Sequence, residues 1–254
     1  MILISILYYR KDYNYLHRFF SIFAFLVEYK QIICVSFYKM FVFDEKEPTI
    51  LCEIMGRNQS DKGSSNITFS HHNYTTLYYS LFKDMQQKTM RVFELGLGTN
   101  NINLPSNMGA NGRPGASLFG WREFFPMAKI FGADIDSQIL FASENIKTYY
   151  CDQTSPDSIK KLWSEEDLQD NFDIMIEDGL HEYHANVCFF ENSIHKLLKN
   201  GYYIIEDINN NELPLFKSKI ESWKNTYPHL SFDLVTIPSV VNRFDNTLLV
   251  VKYN

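Results

Sequence analysis

The residues best placed for chemistry lie in two acidic segments, Ile176-Glu177-Asp178-Gly-Leu-His181 and Ile204-Ile-Glu206-Asp207. Each closes an apolar run with carboxylates. The 28 residues between Asp178 and Glu206 fit one crossover helix returning to a neighbouring parallel strand. That would bring Asp178, Glu206 and Asp207 to the carboxyl edge of one sheet, where open α/β folds bind ligands. Neither segment carries a lysine or arginine. Three carboxylates gathered without a basic partner repel one another, so one stays protonated unless a cation neutralises them. Oxygen ligands select a hard ion, Mg²⁺ first, with Mn²⁺ or Ca²⁺ as substitutes. The plainer alternative is that Glu177 or Asp207 faces solvent and caps the next helix. His181, three residues past Asp178, has the proton affinity of a general base near neutral pH, with His184 as a rival. A loop histidine without a role is the alternative there.

A second set of residues reads as a nucleoside site. Val92-Phe-Glu94-Leu-Gly96-Leu-Gly98 is a strand ending in an acid and then a tight glycine turn, which lets backbone pass close under a ligand. The third glycine of a dinucleotide fingerprint is missing, since residue 101 is Asn, and this fits a ligand without phosphate. A second strand ends at Asp134, 40 residues beyond Glu94, where a carboxylate can accept the hydroxyls of a ribose. The excess length is a Gly-, Asn- and Pro-rich stretch, 100–116, expected as a loop over the site, after which Ser117 looks like a helix N-cap. A third strand ends in Asp152 and Gln153, polar groups suited to an adenine edge. Singly, each acid could be a cap or a solvated strand end; together they mark three successive strand ends.

These residues need a frame that brings strand ends together. Strand-like runs at 91–95, 128–133, 146–151, 172–177 and 202–205 alternate with helical periodicity, which argues for a parallel sheet covered by helices. Short helices are expected near 48–55 and 74–85, either side of a polar loop at 57–65. Val187, Phe190, Ile194, Leu197 and Leu198 recur at helical spacing before Asn200-Gly201. After a helix near 214–227, two runs at 231–237 and 247–253 leave no room for a helix between them, so the closing pair should be antiparallel.

Composition narrows the partners. The chain of 254 residues carries 24 basic and 30 acidic side chains, a net charge of −6, with no basic blocks, so no nucleic-acid grip is expected. Cys34, Cys52, Cys151 and Cys188 lack metal or redox spacing and read as free thiols of a cytoplasmic protein. Residues 1–43 hold 13 of the 40 aromatics. They are expected as a separate, helical extension that buries its surface on the main domain, 44–254, or in a homo-oligomer interface. No membrane span is expected, because an uncharged run such as 19–27 falls far short of the roughly 20 residues a spanning helix needs. Residues 1–9 lack the marks of a secretory signal.

The motifs together resemble those of the metal-dependent sugar O-methyltransferases. The resemblance rests on Glu94-Leu-Gly-Leu-Gly98, Gly115-Ala-Ser-Leu, Trp121, Phe125-Pro, Gly132-Ala-Asp134-Ile-Asp136, Asp152-Gln153, Asp178-Gly-Leu-His181 and Glu206-Asp207. Ser60-Asp-Lys-Gly63 and His72-Asn-Tyr74 add to it, placed near the acceptor. It implies a class I methyltransferase fold, a mostly parallel seven-stranded sheet with helices on both faces. It also implies S-adenosylmethionine as cofactor, contacted by Glu94, Gly96, Gly98, Ser117, Asp134, Asp152 and Gln153. Asp178, Glu206 and Asp207 would hold Mg²⁺, and His181 would be the base. One departure is Leu180, where the family more often has serine. The Asn-, Ile-, Lys- and Tyr-rich composition suggests an AT-rich bacterial genome, and with the resemblance this implies a bacterial capsular or lipopolysaccharide sugar as acceptor. The rivals are an O-methyltransferase for a phenol and, in another class, an NAD-dependent oxidoreductase.

Overall fold

The computed structural model describes residues 32–36, 39–43, 48–63, 72–239 and 242–254. It divides into two units, Met1–Glu47 and Pro48–Asn254, four residues beyond the expected boundary. In the first unit, β1 (Ile32–Ser36) and β2 (Lys39–Phe43) pair antiparallel, with Ile32 opposite Phe43. Helix was expected here. Ile-Ile-Cys-Val-Ser and Lys-Met-Phe-Val-Phe are β-branched and aromatic, residues that favour extended backbone. The rest of the expected helical extension, 1–31, lies outside the described residues.

In the second unit, α1 (Ile50–Arg57) and α2 (Tyr74–Phe82) precede β3 (Arg91–Leu95), and α3 (Ala116–Phe124) leads to β4 (Lys129–Asp134). A two-residue strand, β5 (Ala142–Ser143), precedes β6 (Ile146–Tyr150), α4 (Pro156–Trp163) and β7 (Phe172–Glu177). Then come α5 (Tyr183–Ser193), β8 (Leu197–Ile205), α6 (Leu213–Thr226), β9 (Leu230–Thr236) and β10 (Thr247–Tyr253). The sheet runs β5-β6-β4-β3-β7-β8-β10-β9. The strands from β6 to β8 are parallel, β10 inserts antiparallel between β8 and β9, and β5 adds an antiparallel edge to the seven strands expected. The chain leaves β3 towards β4 and β6, then returns to β7 on its other side, so a crevice opens where the order reverses.

Strand alternation sorts the core. Phe93, Leu95, Phe131, Phe172, Met175, Tyr203 and Ile205 form one cluster with Trp163 of α4, Phe189 and Phe190 of α5, and Trp223 of α6. The intervening residues look the other way: Tyr202 of β8 meets Phe82 of α2 at 5.6 Å, and Phe82 meets Trp121 of α3 at 6.4 Å. Both faces of a parallel sheet are therefore covered, as its apolar strands require. Each fully buried apolar side chain such as Phe93 stabilises by about 1.5–3 kcal/mol relative to exposure.

β8 begins five residues earlier than its expected start at 202. Asn200 takes a left-handed φ of 65°, and the pairing with β7 shifts between Phe172 and Ile174. A bulge thus continues the strand where Asn200-Gly201 reads as a stop. Among the described residues no helix is long and apolar enough to cross a membrane.

Candidate active site

The carboxyl ends of β3, β4, β6, β7 and β8 are tied by backbone hydrogen bonds that extend past the strands. Gly96 N donates to Ala133 O at 2.9 Å, Cys151 N to Asp134 O at 3.0 Å, Asp178 N to Leu95 O at 2.8 Å and Glu206 N to Glu177 O at 2.9 Å. A cavity of about 810 Å³ opens along this edge. Gly96, Gly98, Ser117, Asp134, Asp152, Gln153, Asp178, His181, Glu206 and Asp207 all line it, so ten of the eleven expected site residues meet in one place. Its roof comes from the loop after Gly98, through Leu104–Met108 and Asn111–Arg113, and Ser106 Oγ donates to Leu180 O at 2.8 Å.

Glu94 is the eleventh and does not line the cavity. It is fully buried, and its carboxylate accepts Trp121 Nε1–H at 2.5 Å and the Ser117 hydroxyl. Its position in β3 turns it towards Ser117 and Trp121 of α3, behind the cavity wall. Ser117 is likewise not the N-cap. Gly115 caps α3 in a left-handed conformation, and Ser117 lies one residue inside the helix. Gln153 lines the cavity with its amide held in place: Nε2 donates to Glu177 Oε1 at 3.0 Å, and Oε1 accepts Leu180 N–H at 2.6 Å. Asp134 uses one site on each oxygen to hold the glycine turn, accepting Leu97 N–H at 2.7 Å and Asp136 N–H at 2.8 Å. Carboxylate oxygens carry two acceptor sites each, so capacity remains towards the cavity. Asp152 accepts Thr154 N–H at 2.9 Å. Ile135, 47% exposed and lining the same end, adds an apolar surface that the carboxylate pattern did not single out.

At the other end Asp178, His181 and Asp207 bring one donor atom each within 4.8 Å of one another. His181 Nε2 lies 2.9 Å from Asp178 Oδ1 and 3.4 Å from Asp207 Oδ2. His181 and Asp207 both have left-handed backbones, with φ of 60° and 55°. Two such non-glycine residues facing each other are costly, and strain of this kind gathers at functional sites. Burial would lower the His181 pKa, but Asp207 and Asp178 outweigh it and raise it to about 10. Asp178 is held well below the usual carboxylate range: Lys62 and His181 overcome its burial. Burial drives Glu206 well above its ordinary value and Glu177 up to about 8. His184 is exposed and away from the cavity.

The carboxylates do have a basic partner, and this overturns the expectation that they stand without one. Lys62 Nζ lies 2.6 Å from Glu206 Oε2 and 3.6 Å from Glu94 Oε1, and it pairs directly with Asp178 Oδ2. The lysine arrives from α1, whose last turn closes in a Schellman motif: Ser60 N donates to Met55 O at 2.9 Å and Gln59 N to Gly56 O at 3.0 Å, with Gln59 at φ 68°. Two tyrosines one turn apart on α2 complete the shell. Tyr74 donates to Asp207 Oδ1 at 2.5 Å, and Tyr78 donates to Glu206. His72 stacks on Tyr74 at 4.6 Å, with its Nε2 3.4 Å from Asp207. The i, i+4 spacing of Tyr74 and Tyr78 is the signal in the sequence that could have placed them on one face.

The donor set fits a divalent ion. Asp178, His181 and Asp207 line the cavity and bring one donor atom each within 4.8 Å of the others, two of the three from carboxylates. Weighted towards carboxylate oxygen, the set suits a hard ion.

No protein-family profile matches the chain. In sequence it is similar to the 8-demethyl-8-alpha-L-rhamnosyl tetracenomycin-C 2'-O-methyltransferase of Streptomyces olivaceus, 27% identical over 58% of this chain and 36% of that protein. It is also similar to the L-olivosyl-oleandolide 3-O-methyltransferase of Streptomyces antibioticus, 29% identical over 59% of this chain and 35% of that protein. The demethylmacrocin O-methyltransferase of Streptomyces fradiae is 30% identical over 55% of this chain and 32% of that protein. The matched regions thus span about a third of these relatives' length. Among solved structures, the MycE methyltransferase of the mycinamycin biosynthetic pathway, in complex with Mg and SAH, aligns with a TM-score of 0.59 and 24% identity. That alignment covers 81% of this chain and 55% of that one. The fold is that of a class I methyltransferase, and the resemblance to sugar O-methyltransferases read from the motifs recurs in the sequence comparison.

Proposed function

We propose that the chain transfers a methyl group from S-adenosylmethionine to a sugar hydroxyl, with a divalent cation at the acceptor end of the cavity. The observation that carries this is the single cavity running from the Gly96–Gly98 turn and Asp134 to Asp178, His181 and Asp207. The glycine turn admits no side chain: φ is 91° at Gly96 and 75° at Gly98, and a Cβ would overlap the Asp178 backbone at the first and the Met108 side chain at the second. Among the described residues Arg113 is the basic group lining this end, and it donates to Asn58 O at 3.1 Å, which suits a nucleoside without phosphates. Asp134 accepts ribose hydroxyls, Ile135 packs on the base, and Asp152 offers an acceptor beside it.

Asp178 and Asp207, with Glu206 behind them, are the residues that would hold Mg²⁺. Bound there, the ion lowers the pKa of a hydroxyl that is otherwise a poor nucleophile. His181 Nε2 lies 2.9 Å from Asp178 Oδ1, and in the neutral tautomer that donates from Nε2 to this carboxylate the Nδ1 lone pair accepts the proton. That proton leaves the acceptor as its oxygen bonds to the methyl carbon and the carbon–sulfur bond breaks. Holding the two reactants close and in line supplies further acceleration. The free thiols of Cys52, Cys151 and Cys188 support a reducing, cytoplasmic setting.

The acceptor proposed is a sugar of a bacterial capsule or lipopolysaccharide, before or after its polymerisation. The test is transfer of labelled methyl from S-adenosylmethionine to nucleotide-linked sugars, surface polysaccharide, deoxysugar macrolides and a catechol. Product on a sugar, lost with EDTA and restored by Mg²⁺, is expected. Product on the catechol alone, or full turnover in EDTA, overturns the sugar or the metal assignment respectively.

A further inference from the structure

Lys62 carries a charge that the proposed reaction does not use. Its side chain is almost wholly buried, and its ammonium touches acids from three adjacent strand ends: Glu94 of β3, Asp178 just past β7 and Glu206 just past β8. An isolated buried ammonium is costly enough to lose its proton, and several carboxylates around it repay that cost only with good geometry. The backbone secures the geometry. Thr75 N donates to Lys62 O at 3.2 Å, Lys62 N donates to Ser60 Oγ at 3.3 Å, and His72 N donates to Asp61 O at 2.8 Å. The segment 60–62 is therefore stitched to the start of α2, which also delivers Tyr74 and Tyr78 to Asp207 and Glu206.

We propose that Lys62 is the built-in counter-ion of the active site, a positioning residue that keeps Glu94, Asp178 and Glu206 assembled before a divalent cation arrives. It touches neither the cofactor end nor the proposed base. It acts through the carboxylates, two of which line the cavity, while Glu94 lies behind its wall. Without the ammonium, the same acids must take up protons, separate, or draw a cation from solution. Charge loss at Lys62 should therefore be offset by charge loss at Glu94, and part of it by Mg²⁺.

Thermal unfolding of the full chain tests this, with wild type, Lys62→Met and the double variant Lys62→Met/Glu94→Gln, each in EDTA and in Mg²⁺ alone. Lys62→Met is expected to melt below wild type in EDTA and to gain about 4 °C more from Mg²⁺ than wild type gains, a shift of measurable size for a chain of this length. The double variant is expected to melt above Lys62→Met in EDTA. A double variant no more stable than the single one overturns the proposal, because only a charge role is rescued by neutralising an acid that the ammonium faces. So does a wild-type response to Mg²⁺ that Lys62→Met fails to exceed. The Mg²⁺ arm rests on the metal reading above, but the compensation arm does not. If no form responds to Mg²⁺ while the double variant is rescued, the counter-ion stands and the metal reading fails. Should Lys62→Met not fold, recovery of folded double variant supports the proposal, and failure of both overturns it.

Discussion

Gly96 and Asp178 approach so closely that a Cβ on the glycine would lie 1.7 Å from the Asp178 carbonyl oxygen. The turn that cradles the cofactor end and the turn that carries the metal end are thus in backbone contact. Gly96→Ala meets both this overlap and a φ of 91°. The left-handed backbone alone costs about 1–3 kcal/mol. Calorimetry should show S-adenosylmethionine and Mg²⁺ binding lost together, with a lower melting temperature. Gly109→Ala is the control: it shares the left-handed φ, at 70°, but nothing lies within 4 Å. Equal effects of the two substitutions would rule out the contact as the cause.

Asp134→Ala should weaken S-adenosylmethionine binding by about 1–3 kcal/mol, the cost of unpaired hydrogen-bonding groups. Because Asp134 also holds Leu97 N and Asp136 N, part of that loss comes from a loosened glycine turn. Hydrogen exchange at Leu97 and Asp136 should therefore rise in the variant. Binding of NADH with no binding of S-adenosylmethionine would remove the assignment altogether.

His181→Ala should lower kcat by roughly 10²–10⁴-fold, the usual worth of positioned proton transfer. Cofactor affinity should barely move, because the histidine sits at the Asp178–Asp207 end of the cavity. The wild-type rate should rise with pH, since only the neutral imidazole accepts a proton. Separate measurement of Mg²⁺ affinity distinguishes base from ligand: loss of a base leaves it nearly intact. Near-normal turnover in the variant would contradict the assignment.

Cys151 offers a pH test away from the charged cluster. Burial, against a hydrogen bond with Ser158, raises its thiol to about 12, above the ordinary 9.0. A raised thiol pKa favours the neutral form, so its contribution to stability is present below pH 9 and fades as pH climbs towards 12. At pH 8 iodoacetamide should leave Cys151 unmodified in the folded protein and modify it in urea, read by mass spectrometry. Labelling of Cys151 in the folded chain at the unfolded rate would show an open, unburied thiol.

The frame, and which residues close its strands, are legible in local patterns of the chain. Apolar runs of strand length, separated by helical periods and closed by acids, are local patterns, and a parallel sheet converts every strand end into a position on one edge. That is why strand order alone brings Asp134, Asp152, Asp178, Glu206 and Asp207 to one edge, and why the antiparallel closing pair is legible. Which way each acid faces, and what neutralises it, depends on packing between elements distant in the chain. Glu94 looks like a cofactor ligand by position, yet strand alternation turns it to the α1–α3 face, against Trp121 and Ser117. Lys62 lies 116 residues from Asp178 and 144 from Glu206, so no spacing rule connects them. Their pairing arises because the Schellman turn after α1 and the register of α2 bring one ammonium to the single buried place where three strands end in carboxylates. Charge pairing across such separations is a property of packing, since desolvation sets its strength and only the folded chain creates the desolvated space.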